Sequence, residues 1–191
     1  MENEPTPVVE PRLNTNKALL MNSLSMGLII AGIFVLLSVM YYILDINMMS
    51  ILSSILMFLV NLAVLITTIT MVMKKFRDKI NGGTTTYTKS LFSGWIAGFI
   101  GLAVSGIFSF LFFHFFAPEY WTEQVAKLGE MLSAQNLPQE KIDEVMAQVT
   151  ARFEPIKQIT GTAINSVVFS GILSLIIAAF IRKGEKMPET L

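Results

Sequence analysis

Cysteine is absent from the 191-residue chain. That removes disulfides, thiol nucleophiles and thiolate metal sites together. Histidine occurs once, as His114, and a metal site needs several ligands. Charge is scarce, at 15% of residues, and it balances, with 14 basic against 14 acidic side chains. Such a chain has no bulk attraction to nucleic acid. There is no G-x-x-x-x-G-K-[ST] loop to cradle a phosphate, no nucleophile elbow, and no carboxylate pair with a basic partner. The expectation is a non-enzyme with no cofactor.

What the chain does have is hydrocarbon. Hydrophobic residues make up 53%, including 14 Phe and 12 Met. A soluble domain of this length has too little interior to hide that surface, so an all-α polytopic membrane protein is expected. Four runs without Asp, Glu, Lys or Arg are long enough to span a bilayer as helices: 18–44, 49–73, 91–116 and 159–181. Together they define a membrane domain over 17–183. The flanking segments 1–16, rich in Pro and Glu, and 184–191 read as cytoplasmic tails, the first disordered. The start is acidic and proline-rich rather than basic and the first apolar run is full length, which argues against a cleavable signal peptide.

The run 91–116 looks central. Gly94, Gly98, Gly101, Ser105 and Ser109 recur every three or four residues and so share a helical face. In lipid, such a smooth face lets another backbone approach closely. The fourth span offers a matching face of Ser166, Ser170, Ser174 and Ala178, and the first a face of Ser23, Gly27 and Ala31. The second span carries Ser54, Asn61 and Thr68 at intervals of seven. That line reads either as interhelical hydrogen bonding, worth about 1 kcal/mol each, or as a polar path for a small solute. The short turn at Asp45–Asn47 makes spans one and two antiparallel neighbours.

The insert 117–158 is the one sizeable polar stretch. Pro118 and Glu119 suit a helix start. Trp121, Val125, Leu128 and Leu132 repeat at helical spacing. After the break at Asn136–Pro138, so do Ile142, Val145, Met146, Val149 and Phe153. Two amphipathic helices folded into a hairpin are expected. Lys74, Lys75, Arg77, Lys79 and Lys89 lie between spans two and three, with Arg182, Lys183 and Lys186 after span four. Acids dominate the insert. The positive-inside rule puts both termini and the basic loop in the cytoplasm and the hairpin outside. Tyr41, Tyr42, Tyr87, Tyr120 and Trp121 fall where belt aromatics sit.

The basic turn Phe76-Arg77, then Asn81-Gly82-Gly83 with Tyr87, the glycine-rich span and Pro118-Glu119-Tyr120 follow one another in order. In this the chain resembles the four-span bacterial membrane proteins catalogued as domain of unknown function 4199. The resemblance covers roughly Ala18 to Lys183. It implies a bacterial inner-membrane protein and carries no catalytic residue with it. Two functions follow as expectations. One is an envelope accessory acting through contacts with lipid, a second copy or a membrane-protein partner. The other is an oligomeric transporter or channel subunit for a small solute or lipid.

Overall fold

The computed structural model describes residues 15–135, 137–152 and 154–181. The expected first tail up to Asn14, the break residue Asn136, the stripe residue Phe153 and everything from Arg182 onward lie outside the described residues. The described chain is all-α. Its helices are α1 (Thr15–Ile43), α2 (Ile51–Lys75), α3 (Tyr87–Leu111), α4 (Pro118–Ser133), α5 (Gln139–Arg152) and α6 (Pro155–Ile181). Single π-helical turns, Phe76–Ile80 and Phe112–Phe116, extend α2 and α3. Four of these helices, α1, α2, α3 and α6, are long and apolar enough to cross a membrane.

Boundaries differ from the sequence expectation for local reasons. Helix α1 already includes Thr15 and Asn16, so the end of the expected tail is helical. Helix α2 starts at Ile51 rather than 49, because Asn47 Oδ1 accepts the Met49 and Ser50 N–H groups and holds those residues in a turn. Helix α3 starts at Tyr87, not 91, because the Thr86 hydroxyl accepts the Lys89 N–H at 3.3 Å and caps it. Helix α6 begins at Pro155, four residues before the expected span. Gly82 and Gly83 adopt φ of +67° and +86° between α2 and α3, which only glycine takes without strain.

Helix α3 packs along α1 on one side and α6 on another, and α2 lies against both α3 and α6. Small residues allow the close approach. A Cβ on Gly98 would stand 2.8 Å from that of Ser170 in α6, and one on Gly27 would meet Ile100 Cβ of α3 at 2.9 Å. The glycines of α3 are shared out. Gly94 and Gly98 face α2 and α6, whereas Gly101 sits on Ile30 of α1. Around these seams lies a core of Ile30, Leu65, Ile69, Val72, Met73, Ala97 and Ala178.

The turn between α1 and α2 does make the two helices antiparallel, yet they are not close neighbours along their length. Their approach lies where the Asn22 amide donates to the Val72 carbonyl at 3.4 Å, far from the connecting turn. Every buried residue of α2 lies from Leu65 onward. From Ile51 to Val64 none is buried, and Leu52 is 78% exposed. In water such surface would drive aggregation; against lipid it is ordinary.

Candidate functional site

Two ends of the bundle must be told apart. The basic end holds the Phe76–Ile80 turn and the C-terminus of α6. There Arg77 Nη1 donates to the Ile181 carbonyl at 3.1 Å, a cation on the negative end of a helix dipole. The loop end holds the α1–α2 connection, the Phe112–Phe116 turn, α4 and α5.

At the loop end α4 fastens the α1–α2 connection. Gln124 is buried, and its Oε1 accepts the Met48 N–H at 2.9 Å. The Tyr120 hydroxyl donates to the Ile46 carbonyl at 3.4 Å. Lys127 Nζ reaches both carboxylate oxygens of Asp45, at 2.9 and 3.1 Å. Asp45 itself takes a φ of +46°, a left-handed conformation that Asp tolerates. Tyr120 packs against Phe113 and Tyr42, with ring centroids 5.0 and 5.3 Å away. Its phenol pKa is pushed up to about 12, by burial first and then by the charge on Asp45. Helix α5 lies against α4, with Ile142 buried and Met146 facing Gly129.

Because α2 is unpacked before Leu65, a crevice opens between it and the other spans in the loop-end half. It consists of two cavities that share Phe34, Asn61 and Leu102. The first, about 200 Å³, adds Ser38, Tyr41, Met57, Ser105, Gly106 and Ser109. The second, about 280 Å³, adds Phe58, Leu62, Leu65, Thr162, Asn165, Ser166 and Phe169. No charged side chain lines either cavity. Toward the basic end the crevice stops at Leu65, with the fully buried Ile69, Gly98 and Ser170 contact behind it.

The crevice holds polar groups with nothing to bond. Tyr41 is only 7% exposed, and its hydroxyl has no partner. The amides of Asn61 and Asn165 make no hydrogen bond among the described residues. Leaving the buried Tyr41 hydroxyl unsatisfied costs about 1–3 kcal/mol, whereas Asn61 is half-buried and Asn165 exposed, so the crevice favours an occupant that can accept from Tyr41 and Asn61. Ser38 and Ser109 are nearer to satisfied, with their hydroxyl oxygens 3.3 Å apart.

Of the expected polar line, Asn61 alone faces the crevice. The Ser54 hydroxyl donates to the Met48 carbonyl at 2.7 Å, and Thr68 is buried beyond Leu65 with its hydroxyl on the Val64 carbonyl at 2.8 Å. The structure therefore does not bring these three into one cavity. The serines of α6 are buried and bond backward along their own helix, Ser166 to the Thr162 carbonyl and Ser170 to that of Ser166. Ser174 lies against Gly94 with no partner for its hydroxyl. Ser105 donates to the Leu102 carbonyl at 3.0 Å. His114 is exposed and stacks on Phe110 at 5.4 Å. Among the described residues no three His, Asp or Glu side chains are placed to hold a metal ion.

Sequence reasoning overlooked Tyr41, Asn165 and Gln124 in these roles. Tyr41 looked like a belt aromatic, and Gln124 lies outside the apolar stripe of its helix. Asn165 could have been noticed, being an amide inside an uncharged run like Asn61.

Residues 25–183 match the family described as "Protein of unknown function (DUF4199)". The chain belongs to this family. The match takes in α1 from Ser25 onward and the whole of α2, α3, α4, α5 and α6. No curated protein and no solved structure matches the chain.

Proposed function

We propose that this DUF4199 protein is a non-enzymatic integral protein of the bacterial inner membrane, an envelope accessory that works by holding a component of the lipid phase. The observation that carries this reading is the crevice, which is open beside α2, closed at Leu65 and lined by unpartnered polar groups. A blind crevice is suited to binding rather than to passage. The excess of Lys and Arg at the basic end supports cytoplasmic termini, with α4 and α5 outside. Surrounding lipid is its first partner, and a second copy or another membrane protein has the exposed surface of α2 to meet.

The competing reading is a small-solute or lipid transporter subunit acting as an oligomer. Its support is the unpacked half of α2, which has room to move. Proteoliposomes loaded with potassium and a small fluorescent anion separate the two. The contact reading expects no protein-dependent release. Release that is lost in Asn61→Leu would replace it with the transporter reading.

A further inference from the structure

We propose that the crevice is a binding site for an uncharged lipid that carries carbonyl oxygens, which accept hydrogen bonds from Tyr41 and Asn61. This rests on the crevice being the contact site. Four features of the lining select the ligand.

The first is charge. No Lys, Arg, His, Asp or Glu lines either cavity, so nothing there neutralises a phosphate or a carboxylate. The held group is neutral.

The second is hydrogen-bonding sense. The buried phenol O–H of Tyr41 has no partner, and the half-buried Asn61 amide makes no hydrogen bond among the described residues, so both offer donors. Carbonyl oxygen is the acceptor that satisfies them without bringing an unmet donor of its own.

The third is continuity. The two cavities share Phe34, Asn61 and Leu102, so they join into one slot. A chain-like molecule can run through both.

The fourth is reach. Tyr41 stands near the loop-end terminus of α1, whereas Asn61 lies about 15 Å along α2 from its start. Apolar walls of Phe34, Leu102 and Leu62 run with them. A molecule that uses both levels is elongated and mostly hydrocarbon. Phe58 and Phe169, both partly exposed, flank an entrance from the surrounding membrane.

Glycerol esters without a phosphate and isoprenoid quinones share this chemistry. The full-length protein in nanodiscs of phosphatidylethanolamine is titrated with dioleoylglycerol, with decyl-benzoquinone, and with dioleoylphosphatidylglycerol as the charged control. Native mass spectrometry counts bound molecules, and binding isotherms report affinity. The expected result is saturable binding of one uncharged probe per chain, with phosphatidylglycerol bound without saturation. Whichever uncharged probe binds identifies the source of the carbonyl. Tyr41→Phe and Asn61→Leu should each weaken it about tenfold, the loss of one hydrogen bond. Circular dichroism and melting of the unliganded variants establish folding, and Asn165→Leu replaces either one that fails. The proposal is overturned if neither uncharged probe saturates, if phosphatidylglycerol binds equally well, or if folded variants bind like the parent. Its failure is separable from that of the functional reading. The vesicle experiment reports release alone, and absent lipid binding without release leaves a contact protein with a different ligand.

Discussion

The two ends of the bundle are built on different physics. At the basic end α1, α2, α3 and α6 meet through small residues, and Phe76, Ile69, Val72 and Met73 are fully buried. At the loop end α2 stands apart, and its place is set by the connection to α1 and by α4. The same helix is thus a packed element over one half and a lipid-exposed one over the other. Lipid tails are as apolar as leucine, so hydrophobicity cannot decide which half packs. Closeness of backbone approach decides it for α2, which Gly94 and Gly98 of α3 admit toward the basic end, whereas Gly106 in the other half faces Thr162 of α6.

The contrast is broken most directly at Gly98. In Gly98→Leu the new side chain must enter the 2.8 Å gap to Ser170 Cβ, and the overpacking should cost about 1–3 kcal/mol or more. Leu56→Ala, at a 62% exposed position in the unpacked half of α2, should shift stability by about 0.5 kcal/mol or less. Unfolding in mixed micelles compares them, and equal losses would dissolve the distinction between the ends.

The loop end is tested at Gln124. Gln124→Leu removes the acceptor for the Met48 N–H and should weaken that end by about 1–2 kcal/mol. Amide exchange should rise in residues 44–52 and stay unchanged around Ile69. A uniform rise would show that the ends are one cooperative unit.

The smallest effect is on pH. The Tyr120 phenol is raised from 10.0 to about 12 in the folded protein. The native state therefore keeps a proton that the unfolded chain has lost between those values. The resulting stabilisation is complete below pH 10 and disappears as pH rises through about 12. Tyrosinate absorbance at high pH should lose the amplitude of one tyrosine in Tyr120→Phe, while protection at the basic end holds.

Much of this was legible in the residues. Four uncharged runs mark the four long apolar helices, and Asn81-Gly82-Gly83 marks the sharp turn after α2. The matched small residues of α3 and α6 indicate where backbones can meet. The splay of α2 was not legible, because a short turn fixes which ends are joined and leaves the crossing angle to distant contacts. The interval of seven in Ser54, Asn61 and Thr68 also misled, since a straight helix drifts about 20° per seven residues. Moreover, Ser54 and Thr68 bond main-chain carbonyls within a few residues of themselves. Gln124 was hidden for a related reason. Burying a glutamine pays only when a specific partner waits, and the Met48 N–H that waits is 76 residues away.

The stitching of the α1–α2 connection to α4 has a mechanical consequence. Met48, Ile46 and Asp45 take their position from α4, while α2 is gripped only from Leu65 onward. Displacing α4 must drag the free end of α2 with it, and the rod then swings about a pivot near Leu65. A tug on the polar helices would in this way become a change in the width of the opening deep within the hydrocarbon.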